Sequence, residues 1–238
     1  MTEQKIELQR KHVTEAMLAT LQKFYRELRI EQGEKVTLDV QGLAPPLVER
    51  LRLDLTFFSQ NPHLPLENLC SGLDNYTPKT SSQQELLNYA VRLVGFEDFS
   101  HPAGLFIYGE PGVGKSHIAV AVSKEFMRGG FRPNFVQFSV NSNYGSPQLN
   151  PHQVWVLDDL NSPYGMPRDL FMKVALNAHN TGGRLFVTSN MDYHELMEGM
   201  TKVIGDAEAK RYFDRTRGMF KALHVVGESN RQTTAWYR

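Results

Sequence analysis

The sequence holds one cysteine, Cys70, so no intramolecular disulfide can staple the chain and no cysteine metal cluster can form. Long apolar runs are missing too. None approaches the roughly 20 residues that a membrane-crossing helix requires. Net charge is absent, because 26 basic residues balance 26 acidic ones. That removes the global positive field expected of a polyanion binder but leaves local basic patches open. The first residues, Met1-Thr2-Glu3-Gln4-Lys5, lack the charged-then-apolar order of a secretory leader, and the expected location is the cytoplasm. Internal repeats and low-complexity tracts are absent. What remains is an ordinary globular composition, 41% apolar and 22% charged over 238 residues. That length suits one large α/β domain, or a medium domain with an extension.

The chain reads as two regions. Between about residues 3 and 31, Ile6, Val13, Met17, Leu21, Phe24 and Leu28 recur at three-, four- and seven-residue steps and fall on one helix face. Gly33 supplies a stop. Pro45-Pro46 precedes a second amphipathic run over 47–58, and Pro62 and Pro65 follow. Residues 1–66 therefore read as a helical extension able to bind a partner, with a connecting segment over about 67–82. From Ser81 the pattern becomes helix and strand in alternation. Apolar runs at 105–108, 135–140, 154–157, 185–188 and 223–226 are separated by helical segments at 115–128, 167–180, 192–200 and 206–221. Unalternated apolar runs are strands buried on both faces, which predicts an α/β fold with a parallel sheet covered on both sides.

Gly109-Glu110-Pro111-Gly112-Val113-Gly114-Lys115-Ser116 satisfies the phosphate-loop pattern, with an apolar strand before it and an amphipathic helix after it. The glycines let successive N–H groups face one anion, and the helix amino terminus adds its dipole. Lys115 is placed to reach the β- and γ-phosphates of ATP, and the Ser116 hydroxyl to sit on Mg²⁺. Hydrolysis also needs an acid to hold the metal and a group to activate water. The run over 154–157 enters Asp158-Asp159 at a strand's carboxyl end, where open α/β sheets bind ligands. Asp158 is the expected magnesium ligand and Asp159 the expected base, although acidic pairs also cap helices and form turns. Asn190, at the end of the 185–188 strand, is placed to hold water or sense the γ-phosphate, and an Asn in a tight turn is the plain alternative. Arg215, late on a helix before the last strand, could stabilise a neighbouring subunit's γ-phosphate; a solvated basic helix end reads the same way.

Taken in order, the phosphate loop, strand-borne aspartates, Ser189-Asn190 and Asp214-Arg215 resemble an AAA+ ATPase. Within that superfamily they resemble the bacterial helicase loaders of the DnaC/DnaI type and the transposition helper IstB. The similarity also covers His117 and Ile118 after the loop, residues 154–160 and 187–191, and Gly227-Glu228-Ser229-Asn230-Arg231. A lead-in segment over 69–94 belongs to it as well, so it spans about residues 67–238. The resemblance implies a P-loop AAA+ core at 67–238 with a five-stranded parallel sheet in the order 5-1-4-3-2 and no carboxyl-terminal lid. It implies Mg-ATP bound between subunits, His117 grouped with the phosphate-binding residues, and Arg215 acting in trans in an oligomer. In loaders the amino-terminal region grips the replicative helicase, and ATP state controls engagement with single-stranded DNA. Asp159 stands where many AAA+ proteins carry Glu. The connection over 139–150 is shorter than the helical insertion that loaders and initiators place there.

Three functional readings follow: a helicase loader, a transposition helper, and a nucleotide-switched adaptor with little turnover. The helper would use a basic face drawn from Lys202, Lys210, Arg211, Arg217 and Lys221. Tyr76 and Thr77 are candidates for adenine contact from their position in the lead-in segment. No N-K-x-D motif points to guanine and no L-S-G-G-Q signature to a transporter ATPase.

Overall fold

The computed structural model describes residues 44–61, 64, 68, 71–95, 104–138, 153–160, 170–216 and 218–229. The helix expected over 3–31, the connection over 139–150 and Asn230-Arg231 lie outside them.

Eleven elements occur in chain order among these residues: α1 (Pro45–Gln60), α2 (Ser81–Val94), β1 (Gly104–Tyr108), α3 (Lys115–Arg128), β2 (Asn134–Gln137), β3 (Val154–Asp158), α4 (Leu170–Thr181), β4 (Arg184–Ser189), α5 (Tyr193–Ile204), α6 (Asp206–Thr216) and β5 (Phe220–His224). The strands pair in parallel in the order β2-β3-β4-β1-β5, which from the other edge is the expected 5-1-4-3-2. No helix among the described residues is long and apolar enough to cross a membrane.

Two apolar clusters cover the two faces of the sheet. On one, α2 and α3 pack Leu86, Ala90, Ile118 and Val122 against Leu105, Ile107, Val156 and Phe186. On the other, Phe171, Val174, Leu196 and Met200 of α4 and α5 meet Phe106, Trp155, Leu157 and Val187. Alternate residues of one strand thus serve opposite faces, which is why these strands read as continuous apolar runs. Local signals set the helix starts. Thr80 caps α2 and Asp192 caps α5, each in a reciprocal capping box with Gln83 and Glu195 respectively.

Helix α1 is built into the first cluster. Leu47, Leu51 and Phe57 are buried, and the Phe57 ring meets Phe135 edge-on at 5.5 Å. Arg50 and Lys124 both pair with the fully buried Asp54, at 3.2 Å and 2.5 Å. The expected division near residue 66 therefore runs between elements that share one core.

The last strand begins earlier than its apolar run suggests. The helix expected to continue to Lys221 ends at Thr216, and Gly218 follows at φ 86°, a left-handed turn that glycine adopts without steric cost. The strand covers 220–224 rather than 223–226. As an edge strand it is buried only in part, with Ala222 and His224 exposed; that polar alternation hid its start. At the other edge, β2 covers 134–137 and a turn stands at Phe138; the last two residues of the run expected over 135–140 lie outside the described residues.

Candidate nucleotide site

The sheet order places the tip of β4 between the phosphate loop that leaves β1 and the aspartates that end β3. Residues 109–116 wrap the carboxyl end of β1. Gly109, Gly112 and Gly114 adopt φ values of 148°, 90° and 98°. At Gly114, which precedes α3, a Cβ would stand 2.6 Å from the Tyr76 ring, so glycine is required by close approach as well as by backbone sign. Such a run turns N–H groups toward one anion. The N–H groups opening α3, those of Lys115, Ser116 and His117, find no acceptor within the helix itself. The Lys115 ammonium crosses back over the loop and donates to the carbonyls of Gly109 at 2.6 Å and Glu110 at 2.9 Å.

Asp158 is completely buried. The Thr188 hydroxyl donates to it at 2.6 Å and the Gln137 amide at 3.5 Å, and the Ser116 side chain lies near enough to act on its carboxyl. Burial pushes its carboxyl up to about 6, opposed by the Thr188 and Ser116 bonds and the Lys115 charge, while neighbouring Asp159 adds to the rise. Asp159 turns out of the strand at φ 62°, an uncommon conformation that Asp tolerates. Its N–H is held by Thr188 Oγ1 at 2.9 Å. One threonine therefore fixes both aspartates from the neighbouring strand. By sequence pattern Thr188 is a strand residue; the signal of its further role is a hydroxyl ending an otherwise apolar run.

The structure thus brings together Gly109, Glu110, Pro111, Gly112, Val113, Gly114, Lys115, Ser116, Asp158 and Asp159. Asn190 stands exposed just past β4, where the Ser189 hydroxyl anchors the turn by donating to the Leu160 carbonyl at 2.7 Å. Arg215 lies in the last turn of α6, which belongs with α4 and α5 on the face opposite α3. The His117 Nε2 meets the Gly72 carbonyl at 3.0 Å, and its ring packs 5.4 Å from Tyr76. Burial lowers its pKa to about 4. Tyr76 is buried beneath the loop and Thr77 is exposed. The suggested basic face is divided: Lys202, Lys210 and Arg211 project from α5 and α6, whereas Lys221 reaches the Tyr89 ring of α2 across the sheet, at 5.4 Å.

The donor set suits magnesium. A hydroxyl and a carboxylate are hard oxygen ligands, and this ion binds through one or two such groups plus phosphate oxygens and water. Among the described residues no group of three or more His, Cys, Asp or Glu could hold a metal by itself.

Neither a protein-family profile nor a curated protein matches the chain. Among solved structures, DnaI aligns over 71% of this chain and 94% of its own, with TM-score 0.57 and 22% identity. The fold is the P-loop AAA+ fold. A candidate primosome component from Streptococcus pyogenes serotype M3 shares this AAA+ fold over 71% of the present chain and 92% of its own, at TM-score 0.54 and 22% identity. A DnaC helicase loader aligns over 67% and 99%, at TM-score 0.48 and 22% identity.

Proposed function

We propose that this chain binds Mg-ATP in the 109–116 loop and hydrolyses it, acting as a helicase-loader-type AAA+ ATPase. The observation that carries the reading is a fully buried Asp158, held by Thr188 at the end of β3, beside a glycine loop that Lys115 crosses back over. It couples a phosphate cradle to a metal-holding acid, which a glycine turn that matches the pattern by chance has no reason to do. When bound, magnesium would supply positive charge that neutralises what builds in phosphoryl transfer. Ser116 and Asp158 would hold it. Lys115 leaves the loop carbonyls for the terminal phosphates. Asp159 orients the attacking water and accepts its proton, and Asn190 holds the water from the β4 tip. Arg215 acts on the nucleotide of a neighbouring copy, a contribution of about 10³–10⁵ in rate where such arginines operate.

Nucleotide binding and turnover measured on the parent, Lys115→Ala and Arg215→Ala test this. Lys115→Ala loses binding. Arg215→Ala keeps binding and loses turnover, and the parent's specific activity rises with protein concentration. A parent that ignores Mg-ATP ends the reading.

In the loader reading, residues within 1–66 engage a replicative helicase, and ATP state governs its release to single-stranded DNA. Purified hexameric helicase mixed with the full chain checks this: a stable complex is expected, and no complex with or without ATP excludes it. A nucleotide-switched adaptor is the second reading. It is favoured by Asp159, whose carboxylate is a methylene shorter than Glu and whose backbone is turned to φ 62°. Tight binding with no concentration-dependent turnover selects it.

A further inference from the structure

The carbonyl of Val113, inside the phosphate loop, receives two side-chain donors. Tyr76 Oη lies 3.2 Å from it and Gln83 Nε2 also 3.2 Å. Both donors come from the lead-in segment and both are buried, Gln83 completely. The other end of the Gln83 amide is already committed. Its Oε1 accepts the N–H of Lys79 at 2.7 Å and of Thr80 at 3.2 Å, completing the cap of α2. The Thr80 hydroxyl in turn donates to the Val226 carbonyl at 2.8 Å, so the exit from β5 is tied to the same junction. Gln83 cannot rotate away from Val113 without breaking the start of its own helix.

A planar trans peptide points its C=O and N–H in opposite directions, and the described residues contain no cis peptide. Fixing the Val113 oxygen against the lead-in therefore aims the Gly114 N–H away from it. Left alone, a peptide followed by glycine can turn over, because glycine accepts either sign of φ. We propose that Tyr76 and Gln83 are positioning residues that lock the Val113–Gly114 peptide so that the Gly114 N–H faces bound phosphate. This deepens the reading of the 109–116 loop as a nucleotide site and rests on it. It gives the lead-in segment a role in phosphate affinity, apart from any contact with the base.

Two substitutions isolate the lock. Tyr76→Phe removes only the hydroxyl. Gln83→Glu keeps an acceptor for the Lys79 and Thr80 N–H groups but withdraws the donor to Val113. In the full chain, calorimetry of Mg-ATP and Mg-ADP should show each single variant about 3- to 10-fold weaker and the double variant about 30-fold weaker or more. Both nucleotides should suffer alike, because the loop N–H groups serve the phosphates they share. In nucleotide-free protein the ¹⁵N–¹H resonance of Gly114 should move, while melting temperature stays within a few degrees of the parent. If the double variant fails to fold, Tyr76→Phe decides on the same readings. Parent-like affinity in the variants, with binding lost in Lys115→Ala, overturns the lock and leaves the site standing. Weaker binding with an unmoved Gly114 resonance also overturns it. A parent that binds no nucleotide removes the site and the lock together.

Discussion

Asp158 and His117 show how much a single side chain depends on what surrounds it. Asp158 accepts the Thr188 hydroxyl of β4 with Ser116 of α3 close by, and Asn at this position keeps the shape while losing the charge proposed to hold magnesium. Asp158→Asn should leave a folded protein whose ATP affinity no longer responds to Mg²⁺, read by calorimetry with and without EDTA. His117 packs against Gly72 and Tyr76, with Lys124, Arg50 and Asp74 the charges that act on it. Desolvation by burial is the main reason its pKa falls to about 4. A depressed folded-state pKa contributes stability that is fully present above the unfolded value near 6.5 and is lost as pH falls through 4. His117→Gln should therefore flatten the acid side of the stability curve between those limits, by about 3 kcal/mol in urea titrations. Asp158, raised to about 6, slopes the other way, so the difference between variant and parent is the informative quantity.

At the level of elements, the contact between α1 and α3 is a buried charge cluster. Arg50, Asp54 and Lys124 are 8%, 0% and 2% exposed, and Arg50 also pairs with Asp74 at 3.0 Å. Such a cluster gains little over an apolar core, but losing its one buried acid takes the counter-charge from Lys124 and leaves Arg50 to Asp74. Asp54→Ala should cost about 3–5 kcal/mol and free α1 to proteolysis. The pair Asp54→Leu with Lys124→Met should recover most of the loss; if it does not, the cations matter beyond their pairing. The turn from α6 into β5 makes the opposite case. A Cβ at Gly218 meets nothing within 4 Å, so Gly218→Ala should cost only about 1–2 kcal/mol of backbone strain and leave nucleotide affinity unchanged.

For the whole molecule, the described residues before 67 supply buried side chains to the core. A chain beginning at residue 44 retains Leu47, Leu51, Phe57 and Leu64, all buried. One beginning at 67 gives them up, at about 1.5–3 kcal/mol for each. Thermal melts should place the shorter chain well below the longer one, or show it unfolded. Equal melting temperatures would mean that α1 lies on the core without supporting it.

Much of this protein was legible from residue order because the relevant physics is local. The phosphate loop needs glycines, a lysine and a hydroxyl at set spacing, and α3 was read at its full extent from the helix pattern that follows them. Strands buried on both faces announce themselves as apolar runs, and β1, β3 and β4 were found that way. Edge strand β5, half covered, was placed three residues late. Tertiary structure alone decided which groups meet across the sheet. Thr188 reaches Asp158 because β4 lies beside β3, and Tyr76 and Gln83 reach Val113 because α2 packs over α3. The ring of His117 turns to Gly72 for the same kind of reason. Spacing along a chain specifies a loop's own conformation, but partners brought from distant elements depend on how those elements pack.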